Sequence, residues 1–340
     1  MDWIKAYQEK ISYLKSKEFL ATLANKESYL LTDDNLKDLY QKEFFAELNF
    51  YSIEAGEQSK TLSQVAIILE RLLALNYSKD VIIIGFGGGI VCDIAGFVSA
   101  IYKRGCKVVL MPTSLLAMVD ACIGGKNGVN SDNYKNQFGT IKQAESINVD
   151  LSLLKTLPQD QVDNGMAEVI KHGLISSKDY YQKAISVNLN KGNIENDERV
   201  LALIKESISI KLSFVNGDEN DQGQRMFLNF GHTLGHTLEK IHNIPHGKAV
   251  IWGMIQALKI SDKLALISKG QFRDLKAELM KLNTVTPEMI KWDDISQALV
   301  SDKKRRGDKI TFILLAGLEK PLIKEVDLAL VEQVVMSHDE

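Results

Sequence analysis

The sequence predicts two domains, an α/β domain with a parallel sheet followed by a mainly α-helical domain. Three observations support this. The chain has 340 residues, more than one compact core usually holds. Short β-branched runs alternate with helical patterns in the N-terminal part, and long helical periods dominate after Pro158. We therefore expect domains at residues 1–152 and 153–340.

The α/β domain is predicted from apolar runs separated by segments with apolar residues at spacings of three and four. The predicted strands are residues 28–31, 48–53, 81–84 and 108–111. The predicted helices are residues 33–45, capped by Thr32 or Asp33, and residues 61–76, capped by Thr61. This alternation is typical of parallel strands joined by crossover helices.

The second domain is predicted to be mainly helical, with one exception. The predicted helices are residues 162–175, 194–215, 226–242, 249–267 and 326–335. The exception is the apolar run KITFILL, residues 309–315, which predicts a strand.

Composition narrows the class of protein. Hydrophobic residues make up 45% and charged residues 25%, as in ordinary folded proteins. Lys and Arg total 41 against 44 Asp and Glu, so the net charge of -3 gives no electrostatic footprint for nucleic acid or an anionic membrane.

Cysteine usage and apolar patterning predict a cytoplasmic protein without a membrane span. Cys92, Cys106 and Cys122 are odd in number and lack CxxC spacing, which argues against a disulfide framework or a thiolate metal site. The longest apolar region, residues 81–102, contains Asp93 and five glycines, so it is predicted to be strand, loop and helix.

A glycine-rich segment, GFGGGIVCDIAG at residues 85–96, follows a predicted strand and leads into a helical pattern. Glycines allow close approach of a ligand, and the next helix offers unpaired N–H donors, so a nucleotide site is one interpretation. A tight turn with packing glycines is the other, because the spacing fits neither GxGxxG nor a P-loop.

A second glycine cluster, IGGKNGVN at residues 123–130, surrounds Lys126, and Lys135 and Asn136 follow. A lysine among glycines suits an anionic group, although a solvated loop is an equal alternative. Asp120 ends an apolar run, where its carboxylate must pair with a lysine or serve a ligand hydroxyl.

Histidines cluster in the second domain and indicate a divalent metal. His232 and His236 are four residues apart, so on a helix both rings project from one face, and this spacing alone nominates them as a pair. A catalytic zinc site takes a third protein ligand, for which His246 and Glu168 are candidates. An HxxxH on a helix surface without a metal is the alternative.

Cations accompany these segments. Lys171, Lys211 and Arg225 lie near the glutamate and histidine segments in sequence, and DKKRRG contains the basic run 303–306. This run is either a solvated turn or part of a binding site. Several cations around one metal indicate a substrate that bears phosphate or carboxylate groups.

Together these segments resemble the 3-dehydroquinate synthase family of sugar-phosphate cyclases, from about residue 56 to residue 307. The matching stretches are GEQSK, GGGIVCDIAGFVSAIYKRG, PTSLLAMVDACIGGKNGVN, KNQFGTI, TLP, GMAEVIKHG, LNFGHTLGHTLE, PHGKAV and DKK. The resemblance implies an N-terminal Rossmann-like domain that binds NAD+, a helical C-terminal domain, and a divalent metal, zinc with cobalt as alternative. It also implies a homodimer.

The resemblance assigns roles to individual residues. The implied metal ligands are Glu168, His232 and His246, and His236 becomes an active-site group beside the metal. The other implied catalytic residues are Lys126, Asp120, Lys171, Arg225 and Asn229. The implied substrate contacts are Arg104, Lys135, Asn136, Lys211 and Lys303, with Lys304 as alternative to Lys303. The implied NAD contacts are Glu57, Lys60, Gly87, Gly88, Gly89, Ile90, Val91, Cys92, Asp93, Thr113, Ser114, Lys126, Lys135, Leu153 and Thr156.

The implied activity is conversion of 3-deoxy-D-arabino-heptulosonate 7-phosphate, a small phosphorylated sugar acid, into 3-dehydroquinate in the shikimate pathway. The alternatives are another cyclase, such as 2-epi-5-epi-valiolone or 2-deoxy-scyllo-inosose synthase, a metal-dependent polyol dehydrogenase, and a catalytically silent NAD-binding protein. Three positions depart from the family pattern: Cys92 where Gly is frequent, Ser114 in place of Thr, and Asn127 in place of Thr. These departures put local geometry in question.

Overall fold

The computed structural model describes residues 3–131, 134–187, 189, 197–300 and 305–337. The chain divides into two units. The first unit comprises Met1–Val162 and Leu189–Glu219, and the second comprises Asp163–Asn188 and Asn220–Glu340.

The helices alternate with strands in the first unit and dominate the second. The described α-helices are α1 (Trp3–Gln8), α2 (Ser16–Ala21), α3 (Asp34–Tyr40), α4 (Leu62–Ala74), α5 (Gly89–Ile101), α6 (Gln159–Ser176), α7 (Lys178–Ser186), α8 (Glu198–Val215), α9 (His232–His242), α10 (His246–Lys263), α11 (Lys269–Met280), α12 (Trp292–Val300) and α13 (Leu328–Met336). The described strands are β1 (Ile11–Ser12), β2 (Ser28–Asp33), β3 (Phe50–Ile53), β4 (Ile82–Gly87), β5 (Lys107–Pro112), β6 (Lys126–Ser131), β7 (Tyr134–Ile141), β8 (Ser146–Asn148), β9 (Arg305–Arg306), β10 (Lys309–Leu315) and β11 (Pro321–Asp327).

The first unit is built on a six-stranded parallel sheet in the order β1-β8-β5-β4-β2-β3. The predicted α/β class and its four predicted strands are confirmed. Chain order reverses between β4 and β2, and ligands of open parallel sheets bind outside the carboxyl ends of the strands at such a switch point. The glycine-rich segment lies at this position, directly after β4.

Apolar residues from the strands and from the helical segments fill the core beside the sheet. A cluster of buried side chains joins strands β2, β4 and β5 to the helices that follow β1 and β2. Its members are Phe19, Leu23, Leu30, Tyr40, Phe45, Ile82, Ile84, Phe86, Val109, Met111 and Leu153. Helix ends follow local signals: Asp33, rather than Thr32, caps α3 by accepting from Leu36 N at 3.0 Å, and Thr61 caps α4 as predicted.

The second glycine cluster leads into a hairpin, which does not fit the solvated loop that the sequence left open as an alternative. Strands β6 and β7 pair antiparallel, from Lys126 opposite Ile141 to Ser131 opposite Tyr134. Two facing glycines, Gly128 and Gly139, allow the strands to approach, since a Cβ on Gly139 would lie 2.6 Å from Asn127 O. Lys126 therefore has a fixed place at the first residue of a strand.

The second unit is mainly helical, as predicted, and includes the three-stranded antiparallel sheet β11-β10-β9. Strand β10 has the predicted bounds. The final predicted helix begins later than expected, because residues up to Asp327 pair with β10 in β11. None of the described helices is long and apolar enough to span a membrane.

Two other helix predictions need correction. The predicted helix at residues 226–242 is broken: Gln224–Asn229 forms a 3-10 turn, and α9 starts after Gly231, whose φ is 80°. Helix α10 begins at His246 rather than at residue 249. The predicted start of α8, residues 194–196, lies outside the described part of the chain, and α8 is capped by Asp197.

Candidate active site

The glycine turn after β4 has the form of an anion-binding helix N-terminus. Gly88 caps α5 with extended backbone and no side chain. A Cβ on Gly87 would lie 2.5 Å from Val91 Cβ, so this position needs glycine, whereas a Cβ on Gly88 would have only Ser114 Oγ nearby, at 3.6 Å. The first amides of α5 thus face a space kept clear of side chains, which suits a pyrophosphate.

The neighbouring turn after β5 is attached to this glycine turn. Thr113 N donates to Gly87 O at 3.0 Å, and the Ser114 hydroxyl accepts from Ala117 N at 3.3 Å. Predicted NAD contacts from two strand ends are therefore adjacent in the first unit. Leu153 lies in the core, and the Thr156 hydroxyl pairs with Tyr40 at 2.9 Å.

A buried lysine joins predicted cofactor and substrate residues. Lys60 Nζ lies 2.5 Å from an Asp93 carboxylate oxygen and donates to Asn136 Oδ1 at 2.6 Å. Glu57 accepts from Asn130 Nδ2 at 2.7 Å, and Asn130 in turn accepts from Asn136 N at 2.8 Å. Burial raises the pKa of Asp93 although Lys60 opposes this shift.

Asp120 pairs with a lysine of α8. Lys211 Nζ lies 2.6 Å from Asp120 Oδ1 and also donates to its carbonyl oxygen at 2.5 Å. Of the two roles that the sequence left open for this carboxylate, the structure shows the ion pair. Both residues belong to the first unit and are predicted to act on substrate.

Three predicted anion-binding cations, Arg104, Lys126 and Lys135, have exposed side chains. Arg104 has a φ of 67° in a short left-handed stretch after α5. Lys142, the residue after β7, supports this stretch by donating to Ser99 O at 2.9 Å and to Cys106 O. Left-handed backbone outside glycine is strained and is frequent at functional sites.

The three departures from the family pattern keep local contacts. Cys92 Sγ is buried and donates to Gly87 O at 3.4 Å. Ser114 caps its turn as described above. Asn127 Nδ2 donates to Gly125 O at 2.8 Å and to Lys142 O at 2.9 Å, which ties the glycine turn before Lys126 to the end of the hairpin.

Three ligand-type side chains converge in the second unit. Glu168 Oε1 lies 3.4 Å from His232 Nε2 and 3.1 Å from His246 Nε2. These residues come from α6, α9 and α10, and their ligand atoms all lie within 4.8 Å of one another. Two ligand atoms about 2.1 Å from a tetrahedral ion are about 3.4 Å apart. The spacing and donor types therefore fit a divalent metal such as zinc or cobalt.

The outward nitrogen of each histidine is already engaged. His232 Nδ1 lies 3.1 Å from Phe230 O, and His246 Nδ1 lies 3.3 Å from Glu239 Oε2. A carbonyl or carboxylate at Nδ1 selects the tautomer with a proton there, which leaves Nε2 with a lone pair for a metal.

Electrostatics keep this cluster anionic at its centre. Burial alone would raise the pKa of the fully buried Glu168, but Lys171, His232 and His246 together hold it well below the usual range. Burial and Lys171 lower the pKa of His232. Burial also opposes protonation of His246, yet Glu168 and Glu239 raise its pKa to about 9. Lys171 donates to Glu168.

Glycines allow the three helices to approach. A Cβ on Gly253 of α10 would lie 1.9 Å from Gly231 O, just before α9, and a Cβ on Gly235 would lie 3.0 Å from Ala249 O. Gly247 N donates to Asn164 Oδ1 of α6 at 2.7 Å. The backbones are thus close enough for side chains from α6, α9 and α10 to meet.

Of the remaining predicted residues, His236 lies beside this centre, Arg225 and Asn229 lie on the turn before α9, and two lie outside the described chain. The His236 ring is exposed, with its centroid 4.8 Å from that of His232 and 5.8 Å from that of His246. Arg225 is buried and Asn229 half-buried on the 3-10 turn before α9. Lys303 and Lys304 lie outside the described residues.

The sequence reasoning assigned no role to Glu239, Asn130 or Lys142. Glu239 was detectable, because seven residues after His232 it returns to the same helix face. Asn130 and Lys142 make contacts between strands and loops, and no periodic sequence pattern predicts such contacts.

Two family models cover most of the chain. The model described as 3-dehydroquinate synthase N-terminal matches residues 50–164, and that described as 3-dehydroquinate synthase C-terminal matches residues 165–305. The 3-dehydroquinate synthase of Rippkaea orientalis (strain PCC 8801 / RF-1) is 36% identical over 331 residues, which cover 96% of this chain and 90% of that protein.

Solved structures of two cyclases share the fold. A 2-deoxy-scyllo-inosose synthase complexed with carbaglucose-6-phosphate, NAD+ and Co2+ aligns with a TM-score of 0.85 and 26% identity, covering 96% of each chain. A 2-epi-5-epi-valiolone synthase from Streptomyces hygroscopicus subsp. jinggangensis 5008, with NAD+ and Zn2+ bound, aligns with a TM-score of 0.84 and 21% identity, covering 96% of this chain and 95% of that one.

Proposed function

The chain belongs to the 3-dehydroquinate synthase family, and from this membership we propose that it converts 3-deoxy-D-arabino-heptulosonate 7-phosphate into 3-dehydroquinate and phosphate. It would thus be a lyase that carries out the second step of the shikimate pathway and contributes to aromatic amino acid biosynthesis. The single structural observation that carries this proposal is the convergence of Glu168, His232 and His246.

The metal-binding part of the proposal assigns the ion to these three residues. One carboxylate and two imidazoles form the donor set of many catalytic zinc sites, and cobalt accepts the same donors. We propose Zn2+, with Co2+ as a competent substitute. The Co2+ complex of the related inosose synthase supports a divalent ion in this fold.

The NAD-binding part of the proposal places the pyrophosphate at the N-terminus of α5. Gly88 leaves room for it, and the adjacent Thr113 and Ser114 lie at the end of β5. Lys60 and Asp93, which form an ion pair, are further proposed contacts. The NAD+ complex of the inosose synthase supports this assignment.

When bound, NAD+ supplies a reversible hydride acceptor and the metal supplies Lewis-acid polarisation of substrate hydroxyl oxygens. The substrate's C5 carbinol is oxidised to a ketone, which acidifies the adjacent C–H and allows phosphate to leave by β-elimination. The ketone is then reduced again, the ring opens, and an intramolecular aldol step closes the carbocycle. The reaction has no net redox change.

The chain's own residues hold the anionic substrate and handle protons. Arg104, Lys126 and Lys135 expose cations that neutralise phosphate and carboxylate groups. The exposed His236 ring beside the metal ligands relays a proton from a substrate hydroxyl. The departing phosphate acts as base in the elimination, so no further carboxylate base is required. Asp120, Asn136, Lys171, Lys211, Arg225, Asn229 and Lys303 complete the proposed contacts.

A substrate panel tests the proposal. Purified protein with NAD+ and Zn2+ should release phosphate from the heptulosonate phosphate and form dehydroquinate without accumulating NADH. Phosphate release only from sedoheptulose 7-phosphate or glucose 6-phosphate would instead identify another cyclase. Accumulation of NADH with a simple polyol would identify a dehydrogenase.

We also propose that the chain acts as a cytoplasmic homodimer with an NAD-binding domain at residues 1–152 and a metal- and substrate-binding domain at 153–340. The three cysteines, Cys92, Cys106 and Cys122, are buried and unbridged, which supports a reducing compartment. Sedimentation of the purified protein tests the dimer.

A further inference from the structure

Glu239 lies on α9 and contacts one of the proposed metal ligands, His246. Its carboxylate lies 3.3 Å from His246 Nδ1, on the side of the ring opposite Glu168, which lies 3.1 Å from Nε2. The Glu239 side chain is 15% exposed, so its charge acts on the ring in a partly dehydrated environment.

The helix register explains why Glu239 can reach this ring. His232 and Glu239 are seven residues apart, so they share one face of α9 two turns apart. His246 begins α10, and the close contact of Gly235 with Ala249 O sets the distance between the two helices. A glutamate side chain on α9 is therefore long enough to contact Nδ1 of the His246 ring, on the side opposite Glu168.

We propose that Glu239 is a positioning residue that sets the metal affinity of the site through His246. Its carboxylate accepts the Nδ1 proton, which fixes the ring tautomer and aims the Nε2 lone pair toward Glu168. A carboxylate behind a ligating histidine also makes that histidine a better donor. This inference rests on the proposed metal set of Glu168, His232 and His246.

The competing role for Glu239 is direct ligation. His236, Glu239 and His246 also bring ligand atoms within 4.8 Å of one another. In that arrangement His236 and Glu239 would be required for binding and Glu168 would not. The buried Glu168 with both Nε2 atoms facing it favours the first arrangement, in which Glu239 remains behind the ring.

The test measures the dissociation constants of Zn2+ and Co2+ on the full chain after chelator treatment, by competition with a chromophoric chelator. Glu239→Ala should weaken binding by about 10- to 100-fold, and Glu239→Gln, which keeps an oxygen acceptor but loses the charge, should weaken it less. The Co2+ absorption spectrum should keep its wavelength in both variants, because the three ligands are unchanged.

A matched control removes another half-buried carboxylate from the second unit. Glu278 of α11 accepts from the Tyr181 hydroxyl at 2.6 Å rather than from a histidine. Glu278→Ala should leave the metal affinity unchanged. The urea midpoint of metal-free Glu239→Ala should match that of the unsubstituted chain, which separates positioning from general loss of structure.

The outcomes distinguish this inference from the metal assignment itself. If His246→Ala and Glu168→Gln lose the metal while Glu239→Ala binds it within about twofold of the unsubstituted chain, the role of Glu239 is wrong and the metal set stands. If Glu239→Ala and His236→Ala lose the metal while Glu168→Gln retains it, both the inference and the proposed metal set are overturned.

Discussion

Half-buried Asp93 in the first unit and fully buried Glu168 in the second are both carboxylates paired with a lysine, yet their pKa values shift in opposite directions. Burial raises the pKa of Asp93 and Glu57 adds to this shift, while Lys60 and, to a smaller extent, Lys211 oppose it. Burial alone would also raise the pKa of Glu168, but Lys171 and two histidines lower this pKa by more. The donors and cations that converge on a carboxylate, rather than burial alone, decide the direction in which its pKa shifts.

The same contrast extends to how the two regions are built. The glycine turn offers backbone amides from one continuous segment, so Cys92 and Ser114 can replace other side chains while the contacts remain. The metal cluster needs three particular side chains from three helices. We therefore expect substitutions at the cluster to have larger effects than those at the turn.

The largest expected difference is between Glu168→Gln and Asp93→Asn in metal-free protein. Glu168→Gln leaves the buried Lys171 without its carboxylate and should destabilise the second unit by about 3–5 kcal/mol. Asp93→Asn should destabilise the first unit by about 1 kcal/mol, because Lys60 still donates to Asn136. Urea unfolding measures both. Equal losses would contradict the proposed difference between the two carboxylates.

The next effect separates His246, a proposed metal ligand on α10, from His236, which helical spacing pairs with His232 on α9. His246→Ala removes a ligand and should weaken metal binding by more than the roughly 100-fold upper value for supporting residues. His236→Ala should retain the metal, because the proposed ligand set is Glu168, His232 and His246. Metal content after dialysis measures this. Retention in His246→Ala together with loss in His236→Ala would restore the pairing suggested by HxxxH spacing.

A smaller effect is expected from filling the contact between α9 and α10. Gly253→Ala places a methyl group 1.9 Å from Gly231 O and should destabilise the fold by about 1–3 kcal/mol while weakening metal binding. Gly270 of α11 is the control, since a Cβ there meets no atom within 4 Å. Gly270→Ala should be neutral or slightly stabilising. Thermal unfolding measures the stability of both variants. Equal unfolding temperatures would contradict the packing argument.

The smallest effect concerns protons released when the metal binds. The pKa of His246 is raised to about 9, that of His232 is lowered, and Glu168 is ionised, so at pH 7 one proton must leave, from His246. Metal affinity should therefore rise about tenfold per pH unit between pH 7 and pH 9 and level off above it. Calorimetry in buffers of different ionisation enthalpy counts the protons. Zero or two per metal would contradict this charge assignment.

Much of the fold could be predicted because its signals are local. Strand β10 has the predicted bounds, and four of the six strands of the central sheet, β2, β3, β4 and β5, were recognised as apolar runs. The short strands β1 and β8 were missed, since two or three residues carry no period. The hairpin β6–β7 was missed because its polar and glycine-rich sequence is typical of loops, and its pairing includes two facing glycines, Gly128 and Gly139.

The candidate site was predictable in its residue types but not in its grouping from spacing alone. His232 and His236 are neighbours in sequence, and spacing nominated them together. The structure instead directs His232 and His246 toward Glu168, since α10 returns beside α9 at the glycine contact. Family resemblance supplied this grouping, because spacing within one helix contains no information about the next helix.

By itself, the sequence determined the α/β class, the order of the central strands along the chain, the glycine turn after β4 and the presence of metal-type ligands. Periodicity and glycine conformational freedom are local properties, so they can be recognised in the amino-acid sequence alone. Only the tertiary structure decided which carboxylate lies between which histidines, that Glu239 lies behind His246, and that Asp93 and Glu168 shift oppositely. These outcomes depend on distances between helices and on the sum of charges around a buried atom, which packing alone fixes.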